Sequence, residues 1–308
     1  MKKIFNRIAA FLAIGFALGA CEENAIPERT TYVTSGAQVK FYNHVEGSPM
    51  VNFYLNDQKV TTATATATGA LRGLAFGATY PSTYGYASVP SGSFTMAVRD
   101  TATREAASYD PAASCKVLTW KDLASPYRTI IDKAVTLDEG SNYSAILVGT
   151  PAVMGTTATT CGQVVTQANY ELIVSRDALP APAFDKIYFR FMNTLAGAPY
   201  NFDVVATRLA NAASGSTPAR DKVEIVIAQN IGFKEFSPYV EVPMGNYRID
   251  YYKAGTYKTA NEVKYLSYPS TATSSISTLA LGRVYTHFLR GTYSSPGKST
   301  HMDYWRER

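Results

Sequence analysis

Short stretches of strict alternation recur along the chain. Phe94, Met96 and Val98 alternate with Thr95, Ala97 and Arg99, and Tyr247, Ile249 and Tyr251 alternate with Arg248 and Asp250. A period of two marks a strand with one face buried. Just before each stretch stands a turn signal, Val-Pro-Ser-Gly at 89–92 and Val-Pro-Met-Gly at 242–245. Proline at the second position and glycine at the fourth suit a type I turn. The spacing of an amphipathic helix is scarce. Its best candidate, residues 121–133, is interrupted by Pro126, whose ring and missing N–H break a helix. The N-terminus follows neither pattern: residues 8–20 are apolar and uncharged behind Lys2, Lys3 and Arg7.

A positive start followed by a short apolar run is the plan of a secretory signal peptide. A membrane-spanning helix needs roughly 20 apolar residues, more than this run supplies. The run ends in Leu18-Gly19-Ala20-Cys21, followed at once by Glu22 and Glu23. These four residues resemble the lipobox of bacterial lipoproteins, which implies cleavage before Cys21, lipidation of its thiol and attachment to a membrane. Two or more acyl chains hold more firmly than one, since each buried methylene contributes about 0.8 kcal/mol. The acids after Cys21 resemble the surface-export signal of Bacteroidota-type lipoproteins. That likeness implies an outer-membrane address, facing the periplasm or the cell surface. Residues 1–20 then read as signal peptide and 21–36 as a polar tether without strand alternation.

The remainder repeats itself. "VKFYNHVEGSPMVNFYL" from Val39 aligns with "FRFMNTLAGAPYNFDV" from Phe189, placing Asn43, Gly47, Pro49, Asn52 and Phe53 on Asn193, Gly197, Pro199, Asn201 and Phe202. "YASVPSGSFTMAV" from Tyr86 aligns with "YVEVPMGNYRIDY" from Tyr239, and "LDEGSNYSAILVGT" from Leu137 with "LALGRVYTHFLRGT" from Leu279. Three blocks in the same order indicate a tandem duplication. Many short strands separated by turn signals predict an all-β chain of two tandem immunoglobulin-like β-sandwiches. They span 37–177 and 185–308, and residues 178–184, "ALPAPAF", form a proline-stiffened connector.

The same blocks carry a family resemblance. Ser48-Pro49, Phe76-Gly77, "VPSGSF" and "LDEGSNYSAILVG" are similar to the domain-of-unknown-function 4397 family of bacterial envelope proteins. The second copy matches through Ala198-Pro199, Ile231-Gly232, "VPMGNY" and "LALGRVYTHFLRG". An acid expected just after Ser48-Pro49 is absent, and both copies carry long insertions. The resemblance implies a β-rich extracytoplasmic domain and brings no assigned chemistry.

Composition narrows the function classes. Hydrophobic residues are 46% and charged residues 17% of the 308, ample for folded cores and outside the range of disorder. Tyrosine, with 22 copies against 14 Phe and 2 Trp, favours strands. The formal charge is +5, and residues 1–20 hold three basic side chains and no acid, so the mature side chains sum to +2. With no K/R-rich run, the composition argues against nucleic-acid binding.

Insertions interrupt the repeat at equivalent connections: "TTATATATG" (61–69) against "ANAASGSTPAR" (210–220), and 101–133 against 254–277. Long loops in compact domains are often functional, although surface insertions also cost little. Tyr80, Tyr84, Tyr109, Trp120, Tyr257 and Tyr265 lie in or beside them. Such rings stack on sugars or anchor protein contacts, or else pack their own loops. Signals for catalysis are thin. His44 and His287 fall in predicted strands and His301 near the C-terminus, and none has the H-E-x-x-H spacing of a zinc site. No nucleophile elbow, phosphate loop or EF-hand ladder is present.

The expectation is a lipid-anchored, non-enzymatic envelope module without cofactor or metal. It binds a glycan or an envelope protein, or serves structurally. The alternative is an envelope hydrolase whose carboxylates converge from distant strands, a spacing set only in three dimensions. Cys115 and Cys161 remain as an even pair for an oxidising compartment. A bond between them would close 46 residues, roughly 4 kcal/mol on the chain-entropy model. Two separate buried thiols are the alternative.

Overall fold

The computed structural model describes residues 36–61, 73–82, 85–110, 112, 115–157, 159–215, 219–268, 277–293 and 300–306. Cys21, the signal and tether residues 1–35, most of "TTATATATG" and Tyr84 lie outside them. Every named element is a strand. The first copy holds β1 (Ala37–Asn43), β2 (Val51–Leu55), β3 (Gln58–Lys59), β4 (Thr79–Tyr80), β5 (Ala87–Val89), β6 (Gly92–Asp100), β7 (Arg104–Asp110), β8 (Lys116–Asp122), β9 (Thr129–Leu137), β10 (Asn142–Thr150), β11 (Val153–Met154), β12 (Val164–Thr166) and β13 (Asn169–Arg176). The second holds β14 (Ile187–Ala196), β15 (Phe202–Arg208), β16 (Val223–Ile231), β17 (Val240–Glu241), β18 (Gly245–Lys253), β19 (Lys264–Tyr268), β20 (Ser277–Leu279), β21 (Arg283–Thr292) and β22 (Thr300–Arg306).

Each copy is a two-sheet sandwich. The first pairs a sheet ordered β13-β10-β1-β4, with β5 also on β1, against β3-β2-β6-β9. The second pairs β17-β14-β21-β22 against β16-β15-β18-β19, with β20 also on β18. The inward positions are those the alternation predicts, Met96 and Val98 in one core and Tyr247, Ile249 and Tyr251 in the other, while the intervening Ala97 and Asp250 are buried as well. The all-β sandwich fold follows from these inward residues. The helix candidate at 121–133 is instead the end of β8, a connection containing Pro126, and the start of β9, which pairs antiparallel with β6.

The two copies share their hydrogen bonding. In each, the first strand runs parallel to a late one, β1 to β10 and β14 to β21, with Asn43 opposite Leu147 and Asn193 opposite Leu289. The Asn43 amide donates to the Leu74 carbonyl at 3.0 Å and its Oδ1 accepts from Val45 N–H at 3.2 Å. Asn193 does the same with Ile231 and Leu195, at 3.4 and 3.1 Å. The Asn43 carbonyl accepts from Gly77 N–H and the Asn193 carbonyl from Lys234 N–H, both at 2.7 Å. Gly77 and Lys234 therefore correspond, with φ of 77° and 73°. This corrects the alignment of Phe76-Gly77 with Ile231-Gly232: Phe76 is equivalent to Phe233. A lysine in the left-handed region obscures the match, because glycine is the usual occupant there.

Strands β1, β10, β14 and β21 are buried on both faces, because the sheets containing them pack against each other within one compact unit, Gly36–Arg308. Tyr42, Ile146, Val148, Met192 and Phe288 form the apolar centre of this contact. Equivalent positions meet across it. His44 and Thr194, 150 residues apart, hydrogen-bond at 2.9 Å. Beside the apolar centre, the buried Arg190 reaches Asp177 at 2.6 Å and Thr286 at 2.7 Å, while Asp177 also accepts from Ser144 and Tyr86 at 2.8 and 3.1 Å. Lys40, at the register position equivalent to Arg190, is buried too and donates to the Gly85 carbonyl at 3.1 Å.

Candidate functional site

The topology sorts the first sandwich into two ends. The described chain enters at Gly36, whose carbonyl accepts from Gly140 N–H at 2.8 Å. From there β1 and β10 run in parallel to the opposite end. A nine-residue strand such as β10 covers roughly 30 Å. At that far end, β6 gives way to the hairpin β7–β8, and β10 to the ribbon β11–β12. Neither two-stranded sheet adds to the sandwich, and both project from it.

Charge and covalent chemistry hold the projections in place. At the hairpin base, the buried Asp100 accepts from the N–H groups of Ala102 and Arg128 at 3.2 and 3.0 Å and pairs with the Arg128 guanidinium at 3.3 Å. Cross-strand pairs Arg104–Asp122 and Lys121–Glu105 close at 2.8 and 3.0 Å. At the tip, Cys115 is bonded to Cys161, with Cα atoms 5.4 Å apart. Cys161 lies in the connection between β11 and β12, so the disulfide joins the two projections. The Tyr109 ring rests on Gly162, where an added Cβ would stand 2.6 Å from it. On the outer surface of this assembly Trp120 is 61% and Leu118 58% exposed.

The five aromatic candidates among the described residues, Tyr80, Tyr109, Trp120, Tyr257 and Tyr265, are not brought together. Trp120 stands out in solvent, and Tyr109 is half-buried against Gly162. Tyr80 and Tyr265, expected as exposed loop rings, are structural. Tyr80 sits in β4 and packs over Phe41 with ring centroids 6.4 Å apart. Tyr265 is 4% exposed in β19 and belongs to the second core, 5.3 Å from both Phe202 and Tyr293. Short strands turn these two inward, β4 beside the first copy's insertion and β19 within the second copy's. Tyr257 is half-buried and donates to Glu224 at 3.0 Å. Lys222 and Lys258 also hold that carboxyl, at 2.6 and 2.9 Å, and together the three partners pull its pKa down to about 2. Two of the histidines are core groups: His44 lies between the sandwiches, and His287 contacts the Tyr251 hydroxyl inside the second core.

Two clefts open on the first sandwich. One, of about 350 Å³, lies by Lys59, Ser88, Pro90 and Phe94, and the other, of about 420 Å³, by Ser93, Thr95 and Thr136. Neither is lined by a carboxylate or histidine. Among the described residues, no three His, Cys, Asp or Glu side chains gather as a metal set, and no helix is long and apolar enough to cross a membrane. What the far end offers is a rigid, partly apolar surface for contact. The aliphatic exposure of β11–β12 was not read from the sequence, although the uncharged run from 151 to 168 was there to signal it.

Fold and site together define a tandem β-sandwich protein with a disulfide-joined projection. No family model matches the sequence, and no curated protein matches it. Among solved structures, one of a Bacteroides ovatus protein with a provisional cell-adhesion name aligns over 88% of this chain and 98% of its own, at 12% identity and a TM-score of 0.21.

Proposed function

We propose that this protein is a non-catalytic binding module of the bacterial cell envelope, anchored in the outer membrane by lipid on Cys21. It engages a glycan or an envelope protein through the projection that Cys115 and Cys161 join. The observation that carries this reading is Trp120, exposed beside Leu118 on a hairpin braced at base and tip. A large ring held rigidly in water loses little conformational freedom on binding, and aromatic anchors of this kind dominate contact energies. The resemblance to the domain-of-unknown-function 4397 family supports an extracytoplasmic setting.

The test compares the wild-type chain with Trp120→Ala and Leu118→Ser on a glycan array and in pull-downs from envelope extracts. Loss of a retained ligand from both variants is expected, and equal retention by all three would refute the site. Fractionation of cells carrying Cys21→Ala tests the anchor, with release from the membrane as the expected outcome. Protease shaving of whole cells then reports which way the module faces.

A further inference from the structure

The two clefts of the first sandwich share a wall. Asn56 and Phe94 line both, one cleft continuing past Lys59 and Ser88 and the other past Ser93, Thr95 and Thr136. Their volumes, about 350 and 420 Å³, fall within the range of small-ligand sites. The Phe94 ring packs against the first core yet is only half-buried, so part of it faces the clefts. Asn56 is fixed beside it in left-handed backbone, φ 43°. Its N–H donates to the Thr95 carbonyl at 3.0 Å, and its Oδ1 accepts from Thr95 N–H at 2.8 Å. The Nδ2 donors are left for another partner. Among the described residues, Lys59 is the only charged side chain lining either cleft, and it has no counter-ion. Partial burial lowers its pKa, and the neighbouring Asp57 pairs with Arg99 instead.

We propose that the joined clefts bind a uronic-acid saccharide, one sugar ring against Phe94 and its carboxylate at Lys59. The class follows from what the walls offer. A pyranose presents an apolar C–H face to an aromatic ring and hydroxyls to its sides, where Asn56, Ser93 and Thr136 supply donors and acceptors. A single ammonium matches a singly charged carboxylate. A phosphate carries more charge and is ordinarily gripped by arginine or by several donors. A free amino acid would bring an ammonium, and no carboxylate lines the clefts to receive it. Preorganisation favours binding, because the Thr95 bonds hold Asn56 before any ligand arrives. This site is separate from the surface at Trp120.

The experiment is titration calorimetry of the mature chain with galacturonate, glucuronate, mannuronate and guluronate oligosaccharides, each against its neutral counterpart. Concentrations reach about 10 mM, where even a millimolar site fills. Wild type is compared with Lys59→Met, Lys59→Arg, Phe94→Leu and Trp120→Ala, with circular dichroism confirming that each folds. Wild type is expected to bind at least one uronate, at least about tenfold more tightly than its neutral counterpart. Lys59→Met and Phe94→Leu are each expected to weaken it about tenfold or more, while Lys59→Arg and Trp120→Ala bind as wild type does. No uronate bound, neutral saccharides bound equally, or full binding by Lys59→Met and Phe94→Leu would each overturn the proposal. Binding lost only in Trp120→Ala would overturn it in favour of the projection.

Discussion

His44 is fully buried between the two sandwiches, and its hydrogen bonds define its proton. Thr194 Oγ1 donates to the Leu289 carbonyl at 3.0 Å, so towards His44 it can only accept, and the ring proton sits on Nδ1, 2.9 Å away. Nε2 is then a bare nitrogen without a partner, in a ring packed by Tyr42 and Phe288. Burial first, and the Arg290 cation second, hold the pKa well below 6.5. The unfolded chain gains this proton near pH 6.5 while the folded chain resists it. Below that pH the unfolded state binds more protons and stability falls. Glu224, whose pKa Lys222, Lys258 and Tyr257 pull down to about 2, adds its own loss only in more acid solution. The urea midpoint is therefore expected to be lower at pH 5 than at pH 7.5, and His44→Gln to flatten that difference. An unchanged slope in the variant would contradict this account. None of it is legible from the sequence, where His44 is one strand-end histidine whose partner lies 150 positions away.

Among elements, the legible and illegible parts separate by range. Strands β6 and β18 announce themselves because one face is polar. The double burial of β10 leaves only a faint trace, the unbroken run Ala145, Ile146, Leu147, Val148, since a strand covered on both sides loses its alternation. Trp120, Tyr80 and Tyr265 look alike in the sequence, because strands as short as β4 and β19 leave little alternation to read. The projections themselves make a clear prediction. They are secured by Asp100, by cross-strand ion pairs and by one disulfide rather than by a core of their own. Reduction is expected to speed amide exchange in β7–β8 and β11–β12 while β1, β10, β14 and β21 keep their protection. Hydrogen exchange followed by mass spectrometry on oxidised and reduced protein measures it. Equal acceleration in the central strands would show that the bond supports the whole sandwich.

For the molecule as a whole, the two sandwich cores are joined by the buried cluster where the sandwiches meet. Phe288 packs on Tyr42 with centroids 5.1 Å apart, and replacing it by alanine is expected to cost about 3–5 kcal/mol, the range for a buried phenylalanine. Asp177→Asn removes the carboxylate charge that faces the buried Arg190 guanidinium, with a comparable expected cost of about 3–5 kcal/mol. Because both changes act on the shared interface, the wild type is expected to unfold in one calorimetric transition and the variants in two. A single transition in all three would place the coupling elsewhere.

The meeting of position 44 with position 194 has a historical consequence. Before duplication, the same face on two separate chains would have set residue 44 against residue 44, and any mutation there would have struck both sides at once. Joining the halves through residues 178–184 replaces encounter between molecules by an intramolecular effective concentration, commonly millimolar for short linkers. The pairing does not depend on how much protein the cell makes. It also lets the sides drift apart: histidine opposite threonine, lysine on one flank and arginine on the other, and a disulfide-joined projection grown by only one half.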